Sequence, residues 1–251
     1  MNKLNWNNLQ ENILNTKVIV LDSCTSTNIL LKESSYTTDT LLITNEQTNG
    51  IGRINREFIS NKDKGIYMSL LTFKKIPLDY VTRITAITSV VVSRVIEKYI
   101  SEKVYIKWVN DIYLKNKKIC GILVQSKIEN NELRKLIIGI GINLYCQTFE
   151  NELSLKASSI EDLTNTRVDR NQMIIDIIND LNTALENFDN LDFMEEYKSK
   201  SNLINKDVTL LLDQKEVLVK VVDINLNGEL VVLYNNKIFA LNSTEVIKVY
   251  F

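Results

Sequence analysis

The chain has 251 residues, 45% of them hydrophobic and 24% charged, with 30 basic against 31 acidic side chains. Such a length suits one large core, or one core with a small appended module, since single cores stop growing at roughly 250–300 residues; the balanced charge gives no global pull toward nucleic acid, and no apolar run approaches the roughly 18 residues of a membrane helix. Histidine is absent, which excludes Ser-His-Asp triads, Cys-His pairs, HExxH zinc sites and any imidazole base, and leaves lysine, arginine, carboxylates, backbone N–H groups or a bound ion to carry chemistry.

The amino end, MNKLNWNNLQENILNTK, lacks the basic-then-apolar pattern of a secretory signal and implies a cytoplasmic protein. Cys24, Cys120 and Cys146 are odd in number and widely spaced, so they read as reduced thiols rather than a disulfide framework or a CxxC metal site. KVIVLD (17–22) and TLLIT (40–44) read as strands with a helix starting near Ser26 between them, and YMSLLTF (67–73) as a third strand. Pro77, the only proline, and Asp79 mark the entry to a helix in which Val81, Ile84, Ile87, Val91 and Val95 recur at helical spacing. VYIKW (104–108), DIYLK (111–115), KICGILVQS (118–126) and RKLIIGIGINL (134–144) follow as consecutive strands joined by short polar turns. A helix over 169–188 sets Ile174, Ile177, Ile178, Leu181, Leu185 and Phe188 on one side, and DFMEEYKSKS predicts a shorter one. From about Lys206 only short strands remain, DVTLLLD, KEVLVKVVDI, GELVVLY, KIFAL and EVIKVYF, the pattern of a small barrel-like module. The fold class is therefore α+β, with a boundary near 203–206 that divides the chain into units 1–204 and 205–251.

Only seven glycines occur, and four of them stand in two G-x-G pairs. In QTNGIGRINREF (47–58), Gly50 and Gly52 predict a loop able to wrap an anion with backbone N–H groups, and Arg53 and Arg56 can add charge-assisted hydrogen bonds to carboxylate or phosphate. Taken alone, a tight turn with two solvated arginines is the simpler account, because G-x-G without a following helix is a weak signal. In IKWVNDIYLKNKKICGILVQS, a Lys107 that points from a strand into a cavity is a compact cation suited to neutralising a carboxylate and a phosphate brought together, with Asn110 and Asp111 beside it to orient the lysine or a nucleotide. An Asn-Asp turn next to a core Trp108 accounts for the same residues. In IIGIGINL, Gly139 and Gly141 interrupt an apolar strand, as at a bulge or at the close approach of a ligand, with Asn143 beside the gap.

Together and in this order the motifs resemble those of the biotin–protein ligase family. TSTN (25–28) resembles that family's STN motif, QTNGIGRINREF its QxxGRGRRGRxW loop, KWVND followed by KKICGIL its KWPND…K(I/L)xGIL signature, and IGIGINL its GxGIN strand. YKSKSNLINKDVTL is similar to the family's junction into an SH3-like carboxyl-terminal domain, so the resemblance runs from about Val18 to the end. It implies a mixed sheet of the class II synthetase type, and an ATP-dependent ligase that forms biotinyl-5′-AMP and then biotinylates one lysine of a biotin carboxyl carrier protein. By that resemblance Lys107 and Arg53 are the catalytic residues. Ser26, Thr27, Asn28 and Gln47 surround the biotin head group, whose ureido ring needs donors and acceptors; Gly50, Ile51 and Gly52 close over the ligand through their backbone, and Gly121 joins the same pocket. Arg53, Arg56, Phe58, Lys107, Asn110 and Asn143 contact ATP and the adenylate. Mg²⁺ comes with ATP, and no protein side chain is assigned to it.

Four positions depart from the family's pattern: Ile51 and Ile54 stand where it has arginines, Asn55 where it has glycine and Val109 where it has proline. Asn55, tolerant of the left-handed region, is expected to preserve the loop geometry, while two missing cations imply a weaker hold on the adenylate. Only 25 residues precede Ser26, too few for a winged-helix domain, so no DNA binding is expected; a homodimer through the sheet fits the resemblance. A lipoate- or octanoate-type ligase of the same architecture, and a biotin-binding relative without catalysis, are the alternatives.

Overall fold

The computed structural model describes residues 3–212, 215–243 and 245–250. A seven-stranded mixed sheet is built from β1 (Lys17–Leu21), β2 (Thr40–Thr44), β3 (Gly65–Thr72), β4 (Tyr105–Lys107), β5 (Asp111–Leu114), β6 (Lys117–Glu129) and β7 (Glu132–Asn143), in the order β1-β2-β3-β7-β6-β5-β4. Among these seven strands β1 and β2 pair in parallel and the other neighbours antiparallel. Side chains alternate between the two faces of a strand, and in β7 this separates Ile138, Ile140 and Ile142, buried in the main core, from Ile137, Gly139 and Gly141 on the other side.

Among the described residues seven α-helices lie in chain order as α1 (Trp6–Asn12), α2 (Thr27–Glu33), α3 (Leu78–Tyr99), α4 (Asn151–Lys156), α5 (Ile160–Thr164), α6 (Arg170–Glu186) and α7 (Asp192–Ser199). The two long periodic stretches predicted from sequence became α3 and α6, which pack on each other and on the isoleucine face of the sheet. On the opposite face α2 packs over β2, β3 and β7, through a small cluster of Leu31, Leu42, Leu71 and Ile137. The face beyond α2 is thereby left open for a site. Among the described residues no helix is long and apolar enough to cross a membrane.

β4 is an edge strand, and an unpaired edge invites non-specific pairing. The chain closes it itself: Ile106 N–H donates to the Lys200 carbonyl at 2.8 Å and Asn202 N–H to the Ile106 carbonyl at 3.2 Å. From there the chain enters a second, antiparallel sheet of β8 (Asp207–Leu212), β9 (Lys215–Ile224), β10 (Leu230–Tyr234), β11 (Lys237–Leu241) and β12 (Val246–Tyr250), ordered β11-β10-β9-β8-β12. Its Val208, Leu210, Val221 and Leu230 continue the main core. Trp108 Nε1 donates to the Gly228 carbonyl at 2.8 Å, which ties the β9–β10 turn to the end of β4.

Candidate active site

Register partners on neighbouring strands project to the same face. The pairings put Lys107, Asp111, Gly121, Gly141 and Tyr67 in one row across β4, β5, β6, β7 and β3. At about 4.8 Å per strand the row is about 19 Å long. Charge stands at one end, an aromatic ring at the other, and glycine floors the middle. The adjacent row on this face holds Leu123, Gly139 and Ser69.

The two glycines of β7 are there because other side chains lie on them. A β-carbon at Gly141 would meet ring carbons of Phe58 at 2.5 and 2.6 Å, and one at Gly139 would overlap the Asn28 amide. Phe58 is backed edge-on by Tyr67, with ring centroids 6.5 Å apart. The strand register runs unbroken through both glycines, so there is no bulge at either, and it is side chains of this chain that approach them closely.

Around Asn28 the polar groups form one network. Thr27 donates to Gln47 Oε1 from its backbone N–H at 2.9 Å and its hydroxyl at 3.1 Å; its hydroxyl lies 2.6 Å from that of Ser69. Ser69 donates to Asn28 Oδ1 at 2.5 Å, and Asn28 Nδ2 donates to Gln125 Oε1 at 3.1 Å. Gln47 Nε2 donates to the Ser60 hydroxyl at 2.8 Å, which in turn donates to the Phe58 carbonyl. Such a largely buried network holds its members in one geometry, because an unmade bond in a low dielectric is costly.

At the other end Asp111 forms an ion pair of 2.7 Å with Lys118, whose ammonium lies 6.0 Å from the Phe58 ring centroid. Lys107 Nζ sits 5.7 Å from the Tyr113 ring centroid. Burial and the Asp111 charge push the Tyr113 hydroxyl up to about 12, so it stays protonated at neutral pH. The Asn110 side chain donates to the Ile122 carbonyl at 2.7 Å and its own carbonyl accepts from Ile122 N–H, which pins the β4–β5 turn to β6. Arg53 reaches across to donate to the Ser243 carbonyl just before β12. Burial pulls its pKa down from the ordinary arginine value, and Asp111 and Tyr197 oppose that shift.

A cavity of about 1360 Å³ opens over these rows. That exceeds the roughly 300–1,000 Å³ usual for one small ligand and leaves room for two reactants side by side. Its described lining carries six cations, Arg53, Arg56, Lys107, Lys118, Lys156 and Lys206, against two carboxylates, Glu57 and Asp111. A chain with no net attraction for anions therefore has one locally. Of the residues singled out in the sequence, Ser26, Asn28, Gln47, Ile51, Gly52, Arg53, Arg56, Phe58, Lys107, Asn110 and Gly121 line the cavity. Thr27, Gly50 and Asn143 do not: Thr27 works from behind through Gln47 and Ser69, the Gly50 carbonyl accepts from Phe58 N–H at 2.8 Å, and Asn143 is buried at the end of β7 opposite Gly65. Lys118, Ser69 and Gln125 had no role assigned from sequence. Lys118 stands within KKICGIL, but Ser69 and Gln125 sit in ordinary strand patterns and only the register brings them to Asn28.

The loop differs from expectation in two ways. Its Gly52 N–H is spent internally, on the Arg56 carbonyl at 2.6 Å, and Ile51 bridges Glu57, so 50–58 is a small closed hairpin rather than an open anion nest. The left-handed residue is Ile54 (φ 54°, ψ 41°), not Asn55. A β-branched residue there carries strain of about 1–2 kcal/mol, and Ile54 is 57% exposed, so little packing compensates. Ile54→Gly is expected to raise stability by about 0.5–1 kcal/mol, the strain relieved less the added freedom of the unfolded glycine chain. A urea midpoint that stays put or falls would contradict this.

The fold and the trough together define an α+β domain with a cation-rich cavity along one face of its sheet. The chain belongs to the Biotin/lipoate A/B protein ligase family, whose sequence model matches residues 18–143. It is 35% identical over 161 residues to the bifunctional ligase/repressor BirA of Bacillus subtilis (strain 168), covering 63% of this chain and 50% of that protein. With BirA of Escherichia coli (strain K12) it shares 26% identity over 174 residues, 68% of this chain and 54% of the relative. The chain thus spans about half the length of these curated relatives. Among solved structures, the biotin protein ligase from Aquifex aeolicus in complex with biotin and ATP superposes with a TM-score of 0.79 at 25% identity, over 93% of this chain and 98% of that one.

Proposed function

We propose that this protein activates biotin with ATP and transfers it to a lysine of a biotin carboxyl carrier protein. One observation carries the reading: a glycine-floored trough with a locked donor–acceptor network at one end and a surplus of cations at the other, in a fold shared with a ligase crystallised with biotin and ATP. The network suits an uncharged ureido head group, and the cations suit a carboxylate and a phosphate that repel each other until neutralised.

In the first step a biotin carboxylate oxygen bonds to the α-phosphorus and pyrophosphate leaves. In the second, the carrier lysine amine attacks the acyl carbon and AMP leaves. Lys107 bridges carboxylate and α-phosphate, with Lys118 and Arg53 on the phosphate side. Ser26, Asn28 and Gln47 meet the head group, with Thr27 and Ser69 holding them. Ile51 and Gly52 cover the ligand, and Phe58 and Arg56 border the nucleotide with Asn110 and Asn143 behind. Catalysis is then mainly positioning and charge neutralisation, with no imidazole required. Mg²⁺ would enter with ATP and neutralise phosphate charge; Asp111 and Glu57 are the only carboxylates in the described lining, so phosphate oxygens and water would supply most of its ligands. Units 1–204 and 205–251 divide the labour as a catalytic unit and a second wall that brings Lys206, Val246 and Val249 to the cavity.

Acid-dependent ATP–pyrophosphate exchange tests this. Exchange is expected with biotin and not with lipoate or octanoate. Exchange driven by either of the other acids would make the protein a different acyl ligase, and biotin binding without exchange would make it a binding protein.

A further inference from the structure

Arg170 opens α6 and is only 1% exposed, a guanidinium inside the core. Its own helix gives it no reason to be there. A helix amino end carries positive partial charge that disfavours a cation, and Asp169 already caps it by accepting from the Asn171 and Gln172 N–H groups. Burying a guanidinium is costly unless its donors are used.

Its two terminal nitrogens go to the two ends of the segment that bears QTNGIGRINREF, while the buried Nε makes no hydrogen bond among the described residues. Arg170 Nη2 donates to Asn45 Oδ1 at 2.9 Å and lies 3.6 Å from Asp63 Oδ1, while Nη1 reaches the Gly65 carbonyl at 3.5 Å. Asn45 is the first residue after β2, and Gly65 is the first of β3. The two arms also touch directly, Asp63 N–H donating to the Asn45 carbonyl at 3.0 Å. The segment between them, including Gln47, Arg53 and Phe58, leaves from and returns to this stem, and the Cys24 and Thr25 carbonyls also hold it by accepting from the Thr48 and Asn49 N–H groups. On the sheet side Tyr67 braces the returning arm, its hydroxyl donating to the Asn61 carbonyl at 3.0 Å while its ring backs Phe58.

We propose that Arg170 is a positioning residue for the ligand loop: its planar fork clamps both arms of the stem, and the stem sets where Gln47 and Phe58 meet the trough. Its polar partners Asn45, Asp63 and Gly65 are not among the described lining of the cavity. Lysine cannot replace it, because a point ammonium serves one arm and a fork serves two.

Hydrogen exchange by residue or short peptide, on the full chain without ligand, tests the clamp in Arg170→Lys, Asn45→Ala and Asp63→Asn. The Gln47 and Phe58 amides, bonded to the Ser60 and Gly50 carbonyls, are expected to exchange at least about tenfold faster in Arg170→Lys, as follows from losing one charge-assisted hydrogen bond. Amides of α3 and β7 should keep their wild-type rates, a contrast that a general loss of stability would not produce. Should Arg170→Lys not fold, the two partner variants decide the matter with a smaller, same-sign effect. Loop amides within about twofold of wild type in every variant that folds, or loop and core amides accelerated by the same factor, would overturn the proposal. The consequence for ligand rests on the ligase reading: the biotin KM should rise severalfold while kcat at saturation holds. Because exchange needs no ligand, the clamp and the ligase reading fail separately.

Discussion

Lys107→Ala is expected to lower biotin-dependent ATP–pyrophosphate exchange by about 10²–10³-fold at saturating biotin and ATP, the scale of removing one preorganised charge partner from a developing transition state. The geometry makes this residue hard to replace. It ends β4, in the row that runs through Asp111 to the glycine floor, and the short β4–β5 connection behind it is pinned by the Asn110 and Ile122 hydrogen bonds. The nearby cation, Lys118, is held at 2.7 Å from Asp111 and so arrives partly neutralised. Removing Lys107 therefore leaves a carboxylate and a phosphate facing each other beside an Asp. Lys107→Arg should recover little, since a longer planar fork cannot occupy the position of a point ammonium between two oxyanions. Stability should barely move, because the side chain lies at the cavity wall and not in the core. An exchange rate within about threefold of wild type would shift the bridging role to Lys118.

Gly139→Ala is expected to damage the polar end of the trough directly. Its β-carbon would overlap the Asn28 amide, and Asn28 cannot step aside: it is 4% exposed and held by Ser69 on one side and Gln125 on the other. The choices are to break a buried polar network or to shift β7, at a cost of about 1–3 kcal/mol for overpacking and a similar amount for an unsatisfied buried group. Biotin affinity is expected to fall at least about tenfold, measured by calorimetry, with a lowered melting temperature. Gly141→Ala offers the contrast. There the added methyl meets the Phe58 ring, the end of a partly exposed side chain that can rotate into the cavity. Its cost should fall on ATP, as a raised KM for the nucleotide, with biotin binding kept. Equal effects of the two substitutions on biotin would refute the division of the trough into a polar and a nucleotide end.

Every long element was legible before the structure, and for one reason. α3 and α6 repeat isoleucine and valine at helical spacing over many turns, and the strands from β1 to β12 are β-branched runs cut by polar turns. The helices α1, α4 and α5 were not legible, because five to seven residues complete too few turns for a period to register; the equally short α2 was placed by its position between two clear strands. The order of motifs likewise pointed to the family and to Lys107, Arg53 and the residues around Asn28. The partners of those residues could not be read, because each is a contact between segments far apart in the chain. Phe58 on Gly141, Asn28 on Gly139, Ser69 and Gln125 on Asn28, Lys118 on Asp111 and Arg170 on the loop stem all follow from strand register and helix placement. The left-handed residue of the loop is Ile54, beside the Asn55 that sequence marked as tolerant of that region, and the closing hydrogen bond from Gly52 to Arg56 spans it. A local pattern encodes which face of an element is apolar; which distant side chain fills the space above a glycine is decided only when the sheet brings the two together.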